Sequence, residues 1–298
     1  MPTASLVLDG PAGLGQTLSP LRRGGHDPAF RTVDGVIWRT SLMHSGGVTV
    51  RLSQSAPNTV DCEAWGDGAA EFIDRFPGLV GAEDDTTGFD PAEPTIAEAW
   101  RRVPTLRLCR TGRVLEALIP AIIEQRVHGM DAWSAYRKLT TRYGAPAPGP
   151  APVGMRLPPT AEAWRRIPSW EFHRANVDPS RARTVVGCAQ RADALERLTP
   201  ATAVAALLSL PGVGGWTAAE TVQRAFGDAD ALSIGDYHLA KMIGWTLLGH
   251  PIDDAAMVEL LEPVRPHRYR AVRLLEVSGL ARNPRFGARQ AIPNLREL

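Results

Sequence analysis

A chain of 298 residues with 44% hydrophobic content and a net charge of +1 reads as an ordinary soluble protein, large enough for two or three lobes around one cleft. No stretch approaches the roughly 20 apolar residues of a membrane span, and the start, "MPTASLVLDGPAGLG", lacks the basic-then-apolar layout of a signal peptide, so the expected address is the cytoplasm and no membrane partner is expected. Cys62, Cys109 and Cys188 stand isolated without metal-ligand spacing, which speaks against a disulfide framework or a cysteine-held cluster and for buried thiols.

In chain order, residues 35–54 and 59–66 alternate and are rich in β-branched side chains, with Ser45-Gly46-Gly47 as a turn; they predict a small antiparallel sheet. "AAEFIDRFPGLVG" predicts a helix stopped near Pro77. From residue 95 the periodicity is helical: "TIAEAWRRVP", one long run from Arg113 to Gly144, "TAEAWRRIP", "SRARTVVGCAQRADALERL", "TPATAVAALLSL", "WTAAETVQRAFG", "DYHLAKMIGWTLLG" and "DDAAMVELLEPV". The near-copies "EAWRRVP" (98–104) and "EAWRRIP" (162–168) each follow a Thr with a Glu soon after; they read as capped helices with proline stops, not as duplicated architecture. The Pro/Gly/Ala-rich segment 144–159 predicts a flexible connector. The fold class is therefore α+β, with a β-rich domain at 1–90 and an α-helical two-lobed core at 91–298.

Charge is uneven along the chain. Residues 1–90 hold 6 Arg against 12 acids, 91–205 hold 17 basic against 10 acidic residues, and 206–298 balance at 10 and 10. Seven arginines between Arg265 and Arg289 accompany a single acid, Glu276; a solvated helix face and a phosphate-contacting patch both fit.

The most informative stretch is "LPGVGGWTA" (210–218), which joins two helical segments. Its glycines permit positive φ and close approach of another backbone, and bare N–H groups at the following helix start form an anion site for which phosphate is the natural ligand. A tight helix–helix turn without a ligand is the alternative. Asp236, in "SIGDYHL", sits at or just before the next helix. An N-cap is the ordinary use of such an aspartate, but an anion facing the same cleft as a phosphate site repels DNA and needs a purpose.

"LPGVGGWTA" followed by Asp236 resembles the helix-hairpin-helix DNA glycosylase superfamily. The twenty-residue step from Trp216 to Asp236 and the Asp-Tyr pair are most similar to its bacterial inducible 3-methyladenine branch. "AIIEQRV" (121–127) and "RPHRYRA" (265–271) resemble two further family segments, and the likeness covers about 115–280. The resemblance implies a helix-hairpin-helix core and a catalytic Asp236. It implies a phosphate-gripping hairpin at Gly212, Val213, Gly214, Gly215 and Thr217, and a monovalent cation, Na⁺ or K⁺, on the carbonyls of Leu208, Leu210 and Val213. Trp216, Tyr237 and Glu220 fall at base-pocket positions, with ordinary core aromatics the alternative for the first two; Glu220 stands where the branch has a tyrosine. Gln125 and Arg126 fall where a side chain fills the gap left by a flipped base, an apolar wedge in the branch. Leu275 or Glu276 stands in place of a second family tryptophan. A lysine nucleophile of strand-cleaving relatives is replaced by Trp216, so base removal without lyase chemistry is expected. No cofactor is required and no iron–sulfur cluster is expected.

The expected activity is hydrolysis of the N-glycosidic bond of alkylated, 3-methyladenine-type bases in duplex DNA, by a monomer acting at the nucleoid. A non-catalytic helix-hairpin-helix protein that binds DNA or a repair partner is the alternative. His238 and His26 are set aside, the first because i and i+2 on a helix diverge, the second as a loop residue with no evident partner.

Overall fold

The computed structural model describes residues 1–282 and 284. Five strands, β1 (Thr3–Val7), β2 (Phe30–Val33), β3 (Val36–Leu42), β4 (Gly47–Ala56) and β5 (Thr59–Trp65), form one antiparallel sheet in the order β1-β5-β4-β3-β2. The expected hairpins are present, with Leu42 opposite Gly47 and Val50 opposite Ala64. β1 and β2 are additions, short strands of five and four residues at the two edges, where little of a period-2 pattern can develop. Two short helices, α1 (Leu14–Leu18) and α2 (Ala69–Leu79), complete this region. Val48, Val50, Leu52, Val60, Cys62 and Ala64 are buried in one core with Phe72, Phe76 and Leu79 of α2. Pro77 lies inside α2 and does not stop it.

The helical part runs α3 (Pro94–Arg102), α4 (Val114–Glu124), α5 (Gly129–Tyr143), α6 (Ala161–Arg166), α7 (Ser169–Arg174), α8 (Pro179–Ala189), α9 (Ala192–Leu195), α10 (Pro200–Leu208), α11 (Gly215–Phe226), α12 (Leu239–Leu247), α13 (Asp254–Leu261) and α14 (Arg268–Val277). The long run from Arg113 to Gly144 is two helices, broken where Arg126 adopts φ 55°. α3 is capped by Glu93, whose carboxylate accepts from Ile96 N–H, with Pro94 opening the helix; Thr160 caps α6 as expected. α4 has nine of eleven residues buried and forms the axis of a second core with α5, α8, α10 and α11; a helix apolar on all sides belongs inside.

A third core joins Phe89, Ile96 and Leu106 to Leu232, Ile243, Leu261 and Leu274. The chain thus begins this lobe, leaves it to build the second, and returns. The segment 144–159 is not a free connector. Arg156 N–H donates to the Pro28 carbonyl, Thr40 Oγ1 donates to the Arg156 carbonyl, and Leu157 is buried, so it is laid along the sheet.

Buried charges join the sheet to α4. Glu116 pairs with Arg39 at 2.8 Å and accepts the Ser41 hydroxyl and the Leu42 N–H. Arg23 pairs with Glu124 at 3.0 Å. Among the described residues, no helix is long and apolar enough to cross a membrane.

Candidate active site

α10, a turn and α11 form the hairpin. Gly212 adopts φ 82°, and a Cβ there would stand 2.2 Å from Thr184 Oγ1, so both backbone and space require glycine. Gly214 and Gly215 differ: nothing lies within 4 Å of a Cβ built on either. Gly214 is the extended N-cap of α11 and supplies no side-chain cap, so the first N–H groups of α11 lack an intrahelical or side-chain cap partner.

Gln125, at the end of α4, holds this turn. Its Nε2 donates to the Gly212 carbonyl at 2.9 Å and to Thr217 Oγ1 at 2.8 Å. The expectation that Gln125 fills a gap in DNA is therefore corrected, because its amide is committed to the hairpin. Arg126 beside it is exposed. Thr217 is buried, and its hydroxyl accepts from Gln125. Behind the turn, buried Arg181 donates to the Ile123 carbonyl at 2.6 Å and pairs with Asp178, the N-cap of α8. Burial opposes the Asp178 charge, but hydrogen bonds from Arg181 outweigh it and hold the carboxyl below its usual range.

Asp236 lies on the return path into the third core, just before α12. Its Oδ1 accepts the N–H groups of His238 (2.8 Å) and Leu239 (3.0 Å), and its Oδ2 accepts from Trp216 Nε1 at 3.1 Å. Three donors fix both carboxylate oxygens while the residue stays half-buried. Trp216, the second residue of α11, thereby ties the hairpin to the carboxylate.

Tyr237 is 74% exposed, with Lys241 Nζ 4.2 Å from its ring centroid and the His238 ring edge-on at 4.8 Å; it belongs to the rim, not to a core. His238 approaches Asp236 through its main chain, while its side chain is exposed. Glu220, one turn below Trp216, pairs with Arg224 at 2.8 Å and accepts the Ser233 hydroxyl at 2.5 Å.

Four arginines of the arginine-rich segment form ion pairs, while Arg282 is exposed. Arg268 binds Asp230, Arg270 binds Asp84, Arg273 binds Glu276, and Arg265 meets Asp230 and Glu262. Arg285 and Arg289 lie outside the described residues. Counting charges along the segment overlooked Asp84 and Asp230, which are distant in sequence. Sequence reasoning also missed the reach of residues 16–20 into this region: Arg224 Nε donates to the Pro20 carbonyl at 3.0 Å and Arg273 Nη2 donates to Ser19 Oγ at 2.9 Å. The recurrence of Trp216, Glu220 and Arg224 every four residues was the available signal.

No family model and no curated protein matches the chain. Solved structures do. A 3-methyladenine DNA glycosylase from Archaeoglobus fulgidus matches with a TM-score of 0.74 over 93% of this chain and 98% of that one, at 16% identity. An 8-oxoguanine glycosylase/lyase from Clostridium acetobutylicum in its apo form matches with a TM-score of 0.69 over 93% and 96%, at 13% identity. The fold is that of the helix-hairpin-helix DNA glycosylases. A 3-methyladenine DNA glycosylase from Schizosaccharomyces pombe, in complex with abasic DNA, covers 64% of this chain at a TM-score of 0.50 and 17% identity. The glycosylase fold of the archaeal and clostridial structures thus spans nearly the whole chain.

Proposed function

We propose that this chain is a DNA glycosylase that hydrolyses the N-glycosidic bond of an alkylated or otherwise damaged base in duplex DNA and leaves the strand intact, with 3-methyladenine-type lesions the first to test. The observation that carries the reading is Asp236 fixed by Trp216 Nε1–H and two backbone N–H groups beside a hairpin whose outer glycines meet no neighbour. A carboxylate in that place disfavours DNA binding and favours a developing cation.

The open N–H groups of α11 receive a phosphate, which positions the strand. The damaged nucleotide then rotates out of the stack, at a cost of a few kcal/mol that is lower for a damaged pair, and Arg126 enters the gap. An alkylated purine already carries positive charge and leaves readily, so the sugar is the part that needs stabilising. A full charge about 4 Å from the Asp236 carboxylate gains about 4 kcal/mol at an effective dielectric of 20, on the order of 10³-fold in rate. The same carboxylate orients the attacking water on C1′. Trp216 offers no amine, so no Schiff base forms there.

The carbonyls of Leu208, Leu210 and Val213 suit a monovalent cation. Leu208 ends α10, where carbonyls lack intrahelical partners, and the Leu210 carbonyl accepts one bond, from Val213 N–H at 3.1 Å, which leaves it a second lone pair. A cation held there would neutralise charge next to the phosphate.

The test is release of free base from methylated duplex DNA by the native chain and by Asp236→Asn, with the strand assayed for abasic sites and breaks. The expected result is free methylated purine, intact abasic strands and a loss of about 10³-fold in the variant. Strand breaks with a borohydride-trapped adduct would overturn the hydrolytic assignment. Binding of the duplex by both proteins without release of methylated, deaminated or oxidised bases would make the chain a DNA-binding module.

A further inference from the structure

The N-terminal region meets α11 and α14 around a small cavity of about 10 Å³, the room of one water-sized particle. Thr17 of α1, Arg107, Arg224 of α11, and Tyr269 and Arg273 of α14 line it. Neither Trp216 nor Asp236 does, so the cavity is separate from the site described above.

Two polar atoms of these residues are left unused by the fold. Thr17 is 1% exposed and its hydroxyl has no hydrogen-bond partner; Arg107 Nε is buried and has none either. A buried donor without an acceptor is costly, so both atoms point to a ligand that accepts.

Charge narrows the kind of ligand. Arg224 pairs with Glu220 and Arg273 with Glu276. Arg107 donates to the Asp9 carbonyl and has no carboxylate partner among the described residues. Three guanidiniums against two carboxylates leave one positive charge in excess, and Arg224 and Arg273 are close enough to repel each other. Burial pushes the Tyr269 phenol up to about 12, so at neutral pH it keeps its proton and can donate. Guanidinium groups donate and never accept. A water among them would have to place its own two protons and would leave the excess charge standing, whereas an anion accepts from every donor and cancels that charge. The size of the space admits a monatomic ion and excludes sulfate or phosphate.

We propose that this cavity is an internal halide site, in which a chloride is held by Thr17, Arg107, Arg224, Tyr269 and Arg273 and ties the N-terminal region to α11 and α14. The ion adds to the bonds from Arg224 to the Pro20 carbonyl and from Arg273 to Ser19, which already join these parts.

The test measures melting temperature in sodium gluconate, with chloride or bromide replacing gluconate at constant ionic strength. For the native chain the expected rise is about 2–4 °C for each tenfold increase in halide beyond the dissociation constant. Thr17→Val and Arg107→Gln each remove one donor and should abolish most of that rise. Arg101→Gln, which removes an exposed arginine elsewhere, should keep it. Crystals of the native chain grown in sodium bromide should show an anomalous-scattering peak in the cavity. Equal melting temperatures in halide and gluconate, or a bromide crystal with only a water in the cavity, would overturn the proposal. A halide response that survives both Thr17→Val and Arg107→Gln would place the ion elsewhere and overturn it equally.

Discussion

The glycine-rich turn before α11 and the arginine-rich segment from Arg265 to Arg289 were each open in sequence to a phosphate-binding reading or a plainer one, and residues 265–273 of the second differ from the turn. The turn is open on one side: Gly214 and Gly215 face open space, and the Gln125 side chain holds Gly212 and Thr217 from α4. The arginine segment uses its charge internally. Arg270 is fully buried, with both terminal nitrogens on Asp84 at 2.8 and 2.6 Å. The arginines of this segment thus find their counter-charges inside the fold, whereas the glycines at the start of α11 stand in open space.

Three substitutions sharpen or break that contrast. The largest effect is expected from Arg270→Ala, which leaves Asp84 buried and unpaired and costs about 3–5 kcal/mol of folding stability in urea titrations. The salt dependence of DNA binding should stay unchanged; a slope lower by about 0.9, the signature of one lost phosphate contact, would return the segment to the DNA interface. Next comes Gln125→Ala, which strips the Gly212 carbonyl and the Thr217 hydroxyl of their shared donor. A stability loss of about 1–3 kcal/mol is expected together with weaker binding to an abasic-site duplex. Full DNA affinity in that variant would mean that the turn keeps its shape without α4.

The smallest effect is confined to acid. The Asp178 carboxyl is depressed in the folded state by Arg181, so its contribution is present above the unfolded value, near 3.8, and is lost as pH falls through the lower folded value. Asp178→Asn should flatten the acid limb of the melting temperature below about pH 4. An unchanged limb would mean that the support behind the hairpin does not depend on that charge.

Much of this was legible because it is local. The glycine spacing of 210–218, the apolar runs of α4 and α10 and the N-cap chemistry of Asp236 each act within a few residues. What was not legible depends on partners far apart in sequence. Arg270 and Asp84 are separated by 186 positions, and Gln125 reaches a carbonyl 87 positions on. Composition likewise misled at 144–159, where proline and glycine suggested slack although Gly144 and Gly149 are placed against Leu157 and Trp65 with no space for a Cβ. Tyr237 is not the core aromatic that was its alternative reading, because α12 begins only at Leu239 and leaves Tyr237 exposed on the approach to it.

The third core draws on residues before 107 and after 231, and Asp236 follows the returning chain by only a few positions. During synthesis the first half of that lobe must wait, its apolar face unpaired, while the intervening helices are made and packed. Contacts of such long sequence separation form late and slow the search. The bond from Trp216 to Asp236 thus joins the hairpin of the second lobe to the chain as it returns to the third.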